Sequence, residues 1–101
     1  MSSWLKHVET LKAGETVSFR PHGSSMQPMI SSGQLITVEP LSVQGPPKEG
    51  EAVLCKVKGR FMVHKVIAVR DEQALIGNNS GHHNGWTTFK NIFGRVVKIE
   101  K

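Results

Sequence analysis

Residues 52–76 read AVLCKVKGRFMVHKVIAVRDEQALI, and this stretch decides the fold class. Its three apolar runs are rich in valine, isoleucine and other residues that favour extended backbone. They are separated by Lys58-Gly59-Arg60 and by Asp71-Glu72, which are typical of hairpin turns. The stretch therefore predicts an antiparallel meander with strands over 52–57, 61–70 and 73–76.

The sequence on either side continues this pattern. Short runs in which apolar and polar residues alternate predict further strands over 16–20, 35–39 and 92–99. Stretches rich in glycine, proline and asparagine predict loops over 40–50 and 77–85. We therefore expect roughly six to eight short strands in a single small, mainly β domain, coiled into a partly closed antiparallel body.

The N-terminal segment has a different period. Apolar residues recur at helical spacing between Trp4 and Leu11, and Gly14 can end a helix in a left-handed conformation. We expect a short N-terminal helix within residues 1–14, followed by the β domain over residues 15–101.

Length and charge restrict the class of protein. A chain of 101 residues holds one domain, which buries roughly 60 to 70% of its unfolded surface. The net charge is +5, but the basic residues are spread from Lys6 to Lys101 and aromatic residues make up only 6%. This distribution does not indicate nucleic acid as the main partner.

Two further features concern the compartment of the protein. No apolar run reaches the about 18 residues that a membrane span requires, and residues 1–11 lack the uninterrupted apolar core of a secretory signal. We therefore expect a cytoplasmic protein. The single cysteine, Cys55, lies in an apolar run and is expected to be a small buried side chain, not a reactive thiol.

The segment 23–30, GSSMQPMI, lies between two predicted strands. A serine at a tight turn behind glycine can expose its hydroxyl and turn its own amide toward the same space. Taken alone, Gly-Ser-Ser is also common loop chemistry. The segment resembles the nucleophile box of the signal-peptidase and SOS-repressor clan of serine peptidases (S24/S26-like), in which a serine is followed by methionine. The resemblance implies that Ser25 is the nucleophile.

Other stretches resemble the same clan, in the same order along the chain. Residues 61–67 are similar to the strand that bears the general base, and the position of the base falls on His64. Endoplasmic-reticulum signal peptidases have histidine there, whereas bacterial signal peptidases and self-cleaving repressors have lysine. The remaining similar stretches are 47–53, with Glu51 in place of an aspartate, the Gly-Asp-Asn-like turn at 74–79, and the Gly-Arg-Val strand at 93–97.

The resemblance implies a dyad of Ser25 and His64. Ser25 would attack a peptide carbonyl, and its proton must pass to a group that is neutral near the working pH. An ordinary imidazole meets this need, whereas a lysine must first lose its charge. Lys65 points to the opposite face of an extended strand, so only one of the two can face the serine. Backbone amides, with Ser24 and Met26 next to the nucleophile, are the candidate oxyanion donors.

The clan's orienting acid is missing. Endoplasmic-reticulum signal peptidases have aspartates in the loop after the Gly-Asp-Asn turn, but residues 80–85 contain none. Asn79, His83 or Asn84 could hold the His64 ring by a neutral hydrogen bond instead. Such a bond stabilises an imidazolium less than a carboxylate does, so activity would be slow or lost.

The histidines also raise the alternative of a metal site formed by His64, His82 and His83, with His22 as a fourth ligand. Adjacent histidines on a strand rarely chelate one ion, and no cysteine or carboxylate joins them in the sequence. We expect no metal and no other cofactor.

Two functions fit these features. The first is a serine endopeptidase that cuts an extended polypeptide laid against a strand edge. The second is the same fold without useful catalysis, serving as a binding or assembly module for a protein partner, for example in a virion. The ordered resemblance favours the enzyme, and the missing aspartates favour the module. The sequence does not indicate an oligomeric state.

Overall fold

A computed structural model of the chain describes residues 3–22, 26 and 29–100. Its elements, in chain order, are α1 (Ser3–Lys12), β1 (Val17–Phe19), β2 (Leu35–Pro40), α2 (Leu41–Gln44), β3 (Ala52–Val57), β4 (Arg60–Arg70), β5 (Gln73–Gly77), β6 (His83–Thr88), a single 3₁₀ turn (Phe89–Asn91) and β7 (Ile92–Glu100).

The described strands form one antiparallel sheet of seven strands in the order β1-β2-β7-β3-β4-β5-β6. The mainly β class, the antiparallel pairing and the short N-terminal helix are confirmed. The meander is also confirmed: Lys58 and Gly59 have φ of 51° and 80°, and Asp71 and Glu72 have φ of 51° and 62°. These positive values are those of the tight hairpin turns whose twist matches that of the flanking strands.

Two details of the loop predictions are wrong. The expected loop over 77–85 ends early, because β6 begins at His83 and pairs with β5 from Gly77↔His83 to Gln73↔Thr88. The sequence of β6, HNGWTT, has neither the alternation nor the apolar content of a typical strand, and its extended form depends on pairing with its neighbour. In the expected loop over 40–50, four residues form the short helix α2.

The sheet coils so that its far edge approaches its middle. The Thr87 hydroxyl on β6 donates a hydrogen bond of 2.8 Å to the Lys56 carbonyl on β3. One face of β3, β4 and β5 is enclosed by this curvature, and its side chains form an apolar cluster. The buried members of this inner cluster are Val53, Cys55, Val57, Val66, Ala74, Ile76 and Ile92.

The helix α1 covers the opposite face of the sheet, near β1, β2 and β7. The buried side chains beneath it form a second, outer cluster: Val8, Leu11, Met26, Ile30, Ile36, Val38, Ala52, Leu54 and Val63. Gly94 on β7 permits this packing, since a Cβ there would lie 2.6 Å from the Glu39 carbonyl oxygen and 3.2 Å from a Leu11 methyl group. A glycine is therefore required where the helix and two strands converge.

A buried ion pair joins the loop before β3 to the central strand β7. Arg95 is 2% exposed, and its Nε lies 2.9 Å from Oε2 of Glu51. The same guanidinium donates from Nη2 to the carbonyls of Gly45 at 2.9 Å and Pro46 at 2.7 Å. This network fixes the loop between α2 and β3 against the sheet.

No helix in the described ranges is both long and apolar enough to cross a membrane. Cys55 is buried as the sequence predicts. Burial raises the pKa of its thiol to about 12, so the thiol stays protonated and unreactive near neutral pH.

Candidate active site

The long strand β4 carries His64 and Lys65 on opposite faces. His64 stands opposite Val53 of β3, and Lys65 stands opposite Ala52. Directly opposed residues of an antiparallel pair share a face. Val53 belongs to the inner cluster and Ala52 to the outer one, so the two basic side chains leave the strand in opposite directions.

The His64 ring is held by Asn84 of β6. Its Nδ1 lies 2.7 Å from Oδ1 of Asn84. An amide oxygen only accepts hydrogen bonds, so Nδ1–H donates and the neutral ring has its acceptor lone pair on Nε2. A general base requires this tautomer, in which the nitrogen away from the orienting group can take a proton.

The loop between β5 and β6 positions Asn84 through the side chain of Asn78. The Asn78 Oδ1 atom accepts hydrogen bonds from the Ser80 amide at 2.9 Å, the Ser80 hydroxyl at 3.0 Å and the His82 amide at 3.0 Å. The Asn78 amide donates to the His82 carbonyl at 2.9 Å. The loop is therefore a compact turn organised by one side chain, and it leads directly into β6.

Gly77 makes the tight closure of this loop sterically possible. A Cβ at this position would lie 2.6 Å from the His82 carbonyl oxygen, a distance that real side chains do not adopt. The glycine and the asparagine of the Gly-Asn-Asn turn are thus both explained by the shape of the loop.

Asn79 has a different role from Asn84. Its Nδ2 donates a hydrogen bond of 2.9 Å to the Met26 carbonyl, and the Ile30 amide donates to the same oxygen at 2.9 Å. Met26 is 4% exposed and belongs to the outer cluster. The loop that precedes β6 is therefore bonded to the backbone of the residue that follows Ser25 in the sequence.

The predicted nucleophile Ser25 and the predicted oxyanion helper Ser24 lie outside the described residues. Their flanks are described on both sides. The Gly33 amide donates to the Pro21 carbonyl at 2.8 Å, and Nη1 of Arg20 donates to the Gly33 carbonyl at 2.9 Å. These two bonds join the described residues that precede the two serines in the sequence to Gly33, which follows them.

A cavity of about 180 Å³ lies between β4 and the described residues Pro21, His22, Met26 and Ile30. Its walls include Met26 and Ile30 on one side and His64 with Phe61 on the other, and Trp4 of α1 contributes to the lining. The cavity thus brings the predicted base to the same space as the residue next to the predicted nucleophile.

An aromatic cluster adjoins this cavity at the start of the chain. The His7 and Phe19 rings are stacked with centroids 4.2 Å apart, and Trp4 meets Phe19 edge-on with centroids 5.6 Å apart. Burial, and secondly the neighbouring charge of Lys6, lower the pKa of His7. A second depression, lined by this cluster and by residues 20–22, continues the first cavity along the edge strand β1.

The remaining predicted residues are not assembled into a metal centre. His83 begins β6, and its ring packs near Gly77, while His82 belongs to the loop. Across residues 3–22, 26 and 29–100, no three histidine, cysteine or acidic side chains converge as a candidate metal site.

The sequence matches a protein-family model described as Peptidase S24-like over residues 3–97. The chain belongs to this family. The match covers nearly all of the described chain, from α1 to β7. No curated protein matches the sequence.

In this Peptidase S24-like chain, some of the stretches that resemble the clan stabilise the fold, and others contribute to the candidate site. Glu51 and Arg95, from two different stretches, form the buried ion pair and lie away from the cavity residues. Sequence reasoning missed this pairing, and it also missed the side chain of Asn78 as the organiser of the loop. The signal for Asn78 was its place in a turn: an asparagine followed by Asn-Ser-Gly commonly bonds to backbone amides ahead of it.

Proposed function

We propose that this protein is a serine endopeptidase with a polypeptide substrate, in which Ser25 is the nucleophile and His64 is the general base. The observation that carries the proposal is the bond between His64 Nδ1 and Asn84 Oδ1, since it leaves Nε2 as the basic atom of the neutral ring. His64 also lines one cavity together with Met26, the neighbour of Ser25.

The reaction would be an acyl transfer. The Ser25 oxygen attacks the scissile carbonyl while its proton passes to Nε2 of His64, and the imidazolium then protonates the leaving amine. Water, deprotonated by the same nitrogen, hydrolyses the acyl-enzyme. Backbone amides next to the serine would stabilise the oxyanion, with Ser24 as a further donor.

The substrate would lie extended along the open edge at β1. This strand has a neighbour on one side only within the described sheet, and the two depressions follow residues 19–22 beyond its end. A peptide can add to such an edge by backbone hydrogen bonds while its side chains enter the depressions. The histidine base relates this proposed site to the endoplasmic-reticulum type of signal peptidase, and we place the protein in the cytoplasm.

The alternative is a catalytically weak or inactive binding or assembly module, for example in a virion. One observation favours it: the group bonded to Nδ1 of His64 is a neutral amide. A carboxylate would stabilise the imidazolium that forms during acylation through a charge-assisted bond, which is about twice as strong.

A serine-directed fluorophosphonate probe separates the two functions. We expect the probe to label Ser25, as located by mass spectrometry of the digested protein, and Ser25→Ala to remove both labelling and cleavage of a peptide library. Ser42→Ala is the matched control, because Ser42 is an exposed serine on α2. A protein that neither labels at Ser25 nor cleaves any peptide is the binding module.

A further inference from the structure

A second cavity, larger than the one beside Met26, also has His64 in its wall. Its volume is about 380 Å³, and His64 and Asn84 line it together with Lys58, Arg60 and His82. His64 therefore lines both this cavity and the one beside Met26.

The lining of this second cavity is basic. Lys58 and Arg60 are cationic residues, and His82 is a third basic side chain in the lining. No acidic residue is among the described residues that line it. Its charge thus contrasts with the lining of the first cavity, to which Trp4, Met26, Ile30 and Phe61 contribute apolar surface.

The hairpin between β3 and β4 places the two cations at this cavity. Lys58 has φ of 51° in the tight turn, and Arg60 is the first residue of β4. The stem of Lys58 lies across Gly85 of β6, with its Cε 3.2 Å from where a Cβ of residue 85 would be. The absence of a side chain at Gly85 therefore lets the lysine reach over β6, next to Asn84.

We propose that this cavity binds an aspartate or glutamate side chain of the substrate, within one or two residues of the scissile bond. The proposal rests on the proposed function, and it adds the substrate class. Successive residues of an extended peptide are about 3.3 Å apart, so a peptide whose scissile carbonyl lies beside His64 reaches both cavities. A substrate carboxylate in the basic cavity can pair with Lys58 and Arg60, because no acidic side chain in the described lining competes for these two cations.

The test uses two sets of fluorescein-labelled octapeptide libraries. Each set has uncharged random residues, with aspartate or asparagine fixed at one position in turn. Cleavage by the wild-type protein is measured by mass spectrometry, and binding to Ser25→Ala is measured by fluorescence anisotropy. Because charge pairs that are open to solvent are weak, we expect aspartate to be preferred only about three- to tenfold at one position.

Two double variants with the same loss of charge identify the source of the preference. Lys58→Gln with Arg60→Gln removes both cations of the cavity and should abolish the preference for aspartate. Lys90→Gln with Lys98→Gln removes two exposed lysines that do not line the cavity, and should retain it. Equal use of aspartate and asparagine by the wild type, or a preference that survives in the first double variant, would overturn the proposal.

The two readouts distinguish this proposal from the one on which it rests. If peptides are cleaved without regard to aspartate, the endopeptidase stands and the acidic specificity is wrong. If no peptide is cleaved but aspartate libraries bind more tightly in a way that depends on Lys58 and Arg60, the cavity binds acidic peptides and the endopeptidase is wrong. If neither cleavage nor binding occurs, both are wrong.

Discussion

Two polar pairs in this protein use their side chains in contrasting ways. Glu51 and Arg95 pair a carboxylate with a guanidinium that is 2% exposed, and two backbone carbonyls accept hydrogen bonds from its Nη2. His64 and Asn84 pair an imidazole with a neutral amide at the wall of two cavities. The carboxylate of Glu51 therefore stabilises the scaffold. The loop that precedes β6 supplies no carboxylate to the candidate site.

The difference has a physical consequence for each pair. A guanidinium that is buried in the folded protein is costly without an opposite charge beside it, and the Glu51 carboxylate supplies that charge. An imidazole that acts as a base is neutral for most of a catalytic cycle and charged only briefly. A neutral partner is sufficient to orient such a ring, and a charged partner is needed only to lower the energy of its charged form.

The largest expected effect is the loss of the base. We expect His64→Ala to lower peptide cleavage by about 10²- to 10⁴-fold, the usual contribution of general-base catalysis, while the far-ultraviolet circular dichroism spectrum is unchanged. Lys65→Ala is the matched control, since Lys65 leaves the same strand from the opposite face. Similar losses in the two variants would contradict the assignment of His64.

The next effect concerns the scaffold pair. Glu51→Gln leaves a buried guanidinium without its counter-charge, and we expect it to lower the free energy of unfolding by about 3–5 kcal/mol. Chemical denaturation measures this loss. Glu49→Gln is the control, because Glu49 is exposed two residues away in the same loop. Equal stability of the two variants would show that the pair contributes little to the fold.

The smallest effect comes from giving the site the charge that it lacks. In Asn84→Asp, a carboxylate takes the place of the amide at Nδ1 of His64, and we expect cleavage at neutral pH to rise about fivefold, since the charge-assisted bond adds roughly 1 kcal/mol. His83→Asp places the same charge one residue away, where the structure shows no bond to the ring, and should give less. If both aspartate variants remain as slow as the parent, the neutral partner is not what limits the rate.

Much of the fold could be predicted because its strands are locally encoded. The run from Ala52 to Ile76 has strong β-formers and two unmistakable turns, and the observed strands there differ from the predicted ones by one residue at most. The strand β6 was missed because its Asn-Gly sequence favours turns, and only the ladder with β5 makes it extended.

The candidate site could be predicted only in part. Which residues of the loop meet His64 depends on how β6 pairs and how the sheet coils, and neither follows from local sequence. The sequence therefore does not distinguish among three candidates for the residue that orients the ring: Asn79, His83 and Asn84. In the structure, Asn84 is hydrogen-bonded to the ring and Asn79 to the Met26 carbonyl. The basic cavity could not be predicted from the sequence for the same reason. Its lining includes Lys58 from a turn and His82 from a loop, which only the curvature of the sheet brings together.

The order of the strands also governs when the sheet can assemble during synthesis. The β3-to-β6 meander consists of neighbours in the chain and can pair as soon as it leaves the ribosome. Within the described sheet, the antiparallel pair of β1 and β2 is connected to the meander through β7, the last of the described strands, which lies between β2 and β3. Met26 and Ile30 pack in the cluster beneath α1, so their side of the cavity can form only after β7 has been added to the sheet. The hydrogen bond between His64 and Asn84, in contrast, joins two strands of the meander. A nascent chain would therefore form the two halves of its candidate active site at different times.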